Sequence, residues 1–241
     1  MKYAIISDIH GNLEALEAVL NDAEKKGAER IICLGDIVGY GANPKECLDK
    51  IKSINDIVCA GTHDHAVINQ TDTIYFNIYA RKAVAWTSLQ LNDEDILYIQ
   101  SFPYVYEEKD FIAVHANLIQ PENWGYIFDD FDAAKNFISM KQNICFIGHS
   151  HVPLAFEKKE DIRPYYNLKE LNIDKNSKYI INVGSVGQPR DGDPRTGYCI
   201  FDSDNMKIEW IRLNYDIVKA QKKIVDAGLP YFLAERLQIG R

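Results

Sequence analysis

Five short apolar runs in this sequence each end in side chains that can hold a metal ion or carry a proton. Tyr3–Ser7 leads to Asp8 and His10, and Ile31–Gly35 leads to Asp36. Ile57–Gly61 leads to Thr62, His63 and Asp64, Phe111–Val114 to His115, and Ile144–Gly148 to His149 and His151. Aspartate and histidine are the usual oxygen and nitrogen ligands of divalent cations, and both move protons. Five of the six histidines lie at these exits; the sixth, His65, follows two residues after His63. One histidine so placed reads most simply as a hydrogen-bonded structural residue, but five in equivalent places point to a shared site.

The runs must be strands whose tips converge. Leu13, Leu16, Leu20 and Ala23 recur at helical spacing over residues 13–26, and Gly27 stops that helix. Asn43-Pro44 opens a second helix as cap and first-turn proline. Strand and helix thus alternate as βαβαβ over the first 60 residues, which predicts a parallel sheet. Sites on such sheets form beyond the carboxyl ends of the strands. Gly35, Gly61 and Gly148 precede three exits and read as residues that permit a sharp turn. Residues 74–101 read as helix, as do 216–238. Strand runs are expected at 104–108, 111–114, 144–147, 153–157, 179–183, 197–202 and 206–213, while the polar stretch 158–178 gives no clear assignment. The expected architecture is one α/β domain over 1–241, with two mixed β-sheets packed as a sandwich and flanked by helices.

Taken in order, Asp8-Ile9-His10, Gly35-Asp36 with Gly39, Gly61-Thr62-His63-Asp64, Val114-His115 and Gly148-His149-Ser150-His151 resemble the motifs of the calcineurin-like metallophosphoesterase superfamily. The segment Asn182–Arg190 resembles a Gly-Ser stretch near the active site of small bacterial members. The ending from Ala227 to Gly240 resembles the tail of one bacterial subgroup. The resemblance implies a four-layer fold and two divalent ions. Asp8, His10 and His151 would bind the first ion, His115 and His149 the second, and Asp36 would bridge them. Mixed carboxylate and imidazole ligands suit Mn2+ foremost, or Fe, Zn2+ or Ni2+, better than Ca2+. Such a pair activates water for in-line attack on phosphorus. His63 falls where the family places a general acid, with Asp64 to orient it. Thr62 replaces the family's asparagine, whose amide oxygen binds the second ion. The implied reaction is phosphodiester hydrolysis. Phosphomonoester or nucleotide hydrolysis is the alternative, and a non-catalytic protein-binding scaffold is the alternative of another class.

Composition narrows the partners. The net charge is −8 with no dense Lys/Arg block, which argues against a long nucleic acid; for the small phosphoester that the resemblance implies, the metals would supply the positive charge. No apolar run approaches the ~18 residues of a membrane span. Five cysteines without a C-x-x-C pair fit a reducing cytoplasm. Arg190 and Arg195 read equally well as a phosphate clamp or as an exposed Pro/Gly/Asp turn. Asn12 reads as a substrate contact or a helix cap. Tyr40 and Trp124 could face a leaving group, although packing explains each more simply. His65 is expected to be structural. Neither a G-x-S-x-G elbow nor a P-loop is present.

Overall fold

A computed structural model describes residues 1–54 and 56–241. β1 (Lys2–Ile6), α1 (Leu13–Lys25), β2 (Arg30–Cys33), α2 (Pro44–Ile54) and β3 (Ile57–Val58) alternate along the chain, and their strands pair in parallel. Three helices follow: α3 (Thr62–Val67), α4 (Ile78–Ser88) and α5 (Asp93–Gln100). β4 (Val105–Glu107), β5 (Phe111–Val114), α6 (Asp130–Ser139), β6 (Ile144–Ile147), β7 (Leu154–Lys158) and β8 (Ile162–Tyr166) come next. The chain continues through β9 (Glu170–Asn172), β10 (Lys178–Asn182), β11 (Thr196–Asp202), β12 (Lys207–Leu213), α7 (Ile217–Asp226) and α8 (Tyr231–Ile239).

The strands form two mixed six-stranded sheets, ordered β3-β2-β1-β11-β12-β9 and β4-β5-β6-β10-β7-β8. Side-chain alternation along each strand builds three layers of core at once. Tyr3 and Ile5 of β1, Phe111 and Ala113 of β5, and Ile144 and Phe146 of β6 meet between the sheets. Ala4 and Ile6 face α1 and α2 on one side, where Leu16, Val19, Leu48 and Ile51 cover them. Cys145 and Ile147 face Ala133 and Phe137 of α6 on the other side. Both faces of each central strand are covered, which is why these strands read as continuous apolar runs rather than alternating ones.

Several features depart from the expected elements, among them the short helix α3. The 74–101 helix is two, α4 and α5, because Asn92 and Asp95 form a reciprocal capping box that starts a new helix. The 216–238 helix is also two, parted at Gly228-Leu229-Pro230, with Gly228 at φ +72. The unassigned stretch 158–178 carries β8 and β9, which extend opposite sheets beside β7 and β12. α6 was not anticipated, its apolar face being only Ala133 and Phe137, one turn apart between strand runs.

Candidate metal centre

The five exits converge at one end of the sandwich because the strand tips are stitched to one another. The Asp8 amide donates to Gly35 O at 3.0 Å, and the His10 amide to Asp36 O at 2.9 Å. The Gly148 amide reaches His115 O at 2.8 Å. Asp8, His10, Asp36, His149 and His151 all hold positive φ, between 49° and 64°. Strained conformations cost about 1–3 kcal/mol each and persist where the surroundings over-determine them. Five at five ligand-type positions concentrate that strain on one site.

Three buried sets of ligand atoms result, Asp8 with His10 and His151, His10 with Asp36 and His63, and Asp36 with His115 and His149. Asp8 Oδ1 lies 3.2 Å from His151 Nε2 and 3.8 Å from His10 Nε2. Asp36 Oδ2 lies 3.6 Å from His10 Nε2 and 3.4 Å from His115 Nε2. Its other oxygen accepts the His63 amide at 2.7 Å. Backbone carbonyls set the tautomers. Nδ1 of His10 donates to Val38 O at 3.1 Å, that of His115 to Leu34 O at 3.0 Å, and that of His151 to Gln188 O at 2.6 Å. Each Nε2 lone pair therefore faces inward, the arrangement of metal-ligating histidines.

The donor set fits divalent cations. His10 Nε2 and His151 Nε2 face each other at 3.2 Å, as do His115 Nε2 and His149 Nδ1. Opposed lone pairs at that distance repel unless a proton or a cation lies between them. Asp8 Oδ1 is buried without a hydrogen-bond partner, a costly state that a cation relieves. Burial drives His10 and His151 below the ordinary imidazole range and His149 down to about 3, so all three stand as neutral imidazoles, the form that can bind a cation. Burial pushes the Asp8 and Asp36 carboxyls up, but the facing imidazoles outweigh it and hold both well below the usual range. His115 also loses affinity for its proton by burial, yet Asp36 reverses this and raises it to about 9.

A profile of the calcineurin-like phosphoesterase superfamily domain matches residues 1–206. The chain belongs to that superfamily. It is 45% identical to the uncharacterized protein MJ0912 of Methanocaldococcus jannaschii, over 99% of this chain and 98% of that one. It is 25% identical to the phosphodiesterase YfcE of Escherichia coli, over 93% of this chain and 98% of the relative. The crystal structure of a metallophosphoesterase from Sphaerobacter thermophilus superposes with a TM-score of 0.90 at 40% identity, covering 100% and 99% of the two chains. The protein is thus a metallophosphoesterase, a hydrolase of phosphoric ester bonds, built on two mixed sheets with flanking helices.

A cleft of about 160 Å³ opens beside the metallophosphoesterase centre, lined by Asp36, Thr62, His63, His149 and His151 together with Tyr40 and Arg190. Thr62 begins α3, and its Oγ1 lies 3.3 Å from His149 Nδ1, at the edge of the second ligand set. His63 packs against Tyr40, Phe76 and His10, with ring centroids 4.4–4.9 Å apart, and burial lowers it to about 4. Asp64 does not turn to the His63 ring. Its Oδ1 accepts the Ile37 and Val38 amides at 2.9 and 3.2 Å, so it fixes the loop after Asp36, and burial beside Asp36 raises it to about 7.

Arg190 lines the cleft and donates to Gln188 Oε1 at 2.9 Å and to the Tyr40 hydroxyl at 3.5 Å, while its Nε is buried without a partner. Arg195 belongs elsewhere. It is paired with Asp193 at 2.6 Å in an exposed turn, since the Asp-Gly-Asp-Pro stretch folds back on itself. Asn12 caps α1: its Oδ1 accepts the Ala15 amide at 3.2 Å and its Nδ2 donates to Gly187 O at 2.9 Å. Tyr40 reaches the cleft, whereas Trp124 is buried against His115 and His65. His65 is structural, 3.3 Å from the Tyr104 hydroxyl. The Asn182–Arg190 segment acts as a brace. Gly187 N holds Asp8 O at 2.8 Å, Ser185 Oγ holds it at 2.9 Å, and Asn182 Nδ2 holds Gly148 O at 2.7 Å. Sequence reasoning missed Tyr75, Phe76 and Tyr126, which line the cleft from loops without any strand-end signal.

Proposed function

We propose that this metallophosphoesterase hydrolyses a small phosphodiester at a dinuclear centre, with Mn2+ as the foremost ion. The observation that carries the dinuclear reading is the position of Asp36. One oxygen stands within 3.6 Å of His10 Nε2 and 3.4 Å of His115 Nε2, so a single carboxylate serves both ligand sets. The first set is Asp8, His10 and His151, and the second is His115 and His149 with Thr62 at its edge. When bound, the ions supply Lewis acidity to the phosphate and to water. The chain's own residues do the rest. Arg190 lines the cleft and would supply a guanidinium to the phosphate oxygens, and the Asn182–Gln188 brace keeps Asp8 and His151 in register. Phosphodiester preference draws support from the full-length likeness to a relative named phosphodiesterase. β12 pairs with β9 and α7 packs on α1, which supports the whole of 1–241 working as one domain. Five free, buried cysteines support a cytoplasmic setting.

His63 takes the general-acid role. It is neutral at rest, with its pKa near 4 from burial, and gains a proton only as an anionic phosphoester enters beside it. His63→Ala should therefore slow alkyl esters far more than nitrophenyl esters, whose leaving group needs no proton. Equal losses on both would remove His63 from that role. Purified protein tested with Mn2+ on bis(p-nitrophenyl) phosphate and p-nitrophenyl phosphate decides the substrate class. Turnover of the diester alone or foremost supports the proposal, and preference for the monoester overturns it. Inactivity on both with Mn2+, Fe, Zn2+ and Ni2+ would overturn it in favour of a scaffold.

A further inference from the structure

We propose that Asn77 is a substrate-recognition residue, its side-chain NH2 donating to a phosphoryl oxygen of the ester bound at the metal centre. The proposal rests on the phosphoesterase reading and adds to it the wall of the cleft that leads into α4. Asn77 caps that helix: its Oδ1 accepts the Tyr79 and Ala80 amides at 3.0 and 2.9 Å. Two backbone donors on one atom identify it as the amide oxygen, since a nitrogen there would oppose donor to donor. The other end of the amide is therefore Nδ2, with two protons to give, and none of the described residues accepts from it. Capping needs only an oxygen, and serine or aspartate caps as well as asparagine. The NH2 group is a donor that the fold does not use.

Asn77 lines the cleft together with Asp36, His63, His149 and Arg190. The residue is exposed, and with its oxygen held by the helix the nitrogen is its polar atom open to a ligand. The wall is firmly placed. Phe76, the preceding residue, packs on the His63 ring with centroids 4.9 Å apart. Asn77 O accepts the Arg81 amide at 3.0 Å, and Ala80 is buried in one apolar cluster with Tyr40 and Leu233. Asp36 is the single carboxylate among the described residues that line the cleft, and it faces the ligand sets. The guanidinium of Arg190 and the amide of Asn77 make the rest of the lining rich in donors, which suits phosphoryl oxygens that can only accept. In a cleft of about 160 Å³, a phosphate on the ligand sets stays close to the Asn77 wall.

The test uses the Mn2+-loaded protein, with inorganic phosphate binding read by calorimetry and bis(p-nitrophenyl) phosphate turnover read for KM and kcat. Asn77→Ser keeps a capping oxygen and loses the NH2 donor. It should weaken phosphate binding and raise KM by roughly tenfold, the worth of one hydrogen bond to a charged group, while Tm and Mn2+ affinity hold. Asn77→Asp also caps, and its carboxylate should cost roughly a further fivefold, the repulsion of two unit charges about 4 Å apart in water. Asn92→Ala removes the cap of α5, which does not line the cleft. It should lower Tm without moving phosphate affinity, which separates loss of a cap from loss of a donor. Wild-type phosphate affinity and KM in Asn77→Ser overturn the proposal. So does a loss confined to Asn77→Asp, which a charge acting through space explains, and so does a wild type that binds no phosphate. Failure of wild type to turn over the diester would count against the phosphoesterase reading instead, and the phosphate titration, which needs no turnover, still tests Asn77.

Discussion

Alanine at position 61 should break the Asp36 half of the centre while leaving the fold intact. A Cβ on Gly61 would sit 2.0 Å from the Asp36 amide nitrogen and 2.3 Å from its Oδ1, where ordinary contact starts at 3.4 Å. Asp36 would have to retreat by about 1.4 Å, far outside the ~0.2 Å tolerance of metal–ligand distances. A displacement on the order of 1 Å lowers turnover by roughly 100-fold. The packing cost of about 1–3 kcal/mol corresponds to a fall in Tm of roughly 2–12 °C at this chain length. Calorimetric Mn2+ titration, thermal melting and turnover of bis(p-nitrophenyl) phosphate measure the three effects. Gly27→Ala is the control, because Gly27 has φ +73 but nothing within 4 Å of its Cβ position. It should cost about 1 kcal/mol from the backbone alone and leave Mn2+ binding unchanged. If Gly61→Ala binds Mn2+ and turns over like wild type, the tight apposition of the β2 and β3 tips is not what holds Asp36.

Three further outcomes follow from the geometry. His115 keeps its proton up to about pH 9 because of Asp36, so metal binding at pH 7 should displace it. Affinity should rise with pH up to about 9, and calorimetry in buffers of different ionisation enthalpy should report close to one proton released from His115; no buffer dependence would contradict the coupling. Thr62→Asn extends the side chain one bond past the hydroxyl now 3.3 Å from His149 Nδ1. It should tighten the weaker ion by roughly tenfold, the worth of one charge-assisted contact, and an unchanged titration would deny position 62 a ligand role. For His63→Ala, Brønsted plots of rate against leaving-group pKa should steepen, and a parallel shift would refute proton donation.

Much of the candidate centre was legible because the ligand-type residues sit directly at the ends of apolar runs, where strand burial and ligand chemistry adjoin in the sequence. Asp8, His10, Asp36, His115, His149 and His151 needed no loop geometry to be found. The reason for the glycines was less legible. Gly35 does turn at φ +98, but Gly61 is extended at φ −106 and is glycine because Asp36 leaves no room for a methyl. Gly148 is crowded in the same way, by Ser7 Oγ at 2.0 Å from its Cβ position. Such close approaches involve residues far apart in the chain, so no local pattern records them. Asn12 and Arg195 stayed ambiguous in the sequence because a cap and a turn use the same residue types as a substrate contact. Tyr126 gave no signal, since its segment is neither strand nor helix and its inward and outward faces are set by the buried Trp124 and Ile127.

The most direct test is a crystal grown with Mn2+ and measured at the manganese absorption edge. Two anomalous peaks should appear about 3.5–4 Å apart. One should lie among Asp8, His10 and His151, the other among His115 and His149, with Asp36 between them. A single peak would contradict the dinuclear reading, and imidazoles left in place with no peak among them would contradict the metal centre itself.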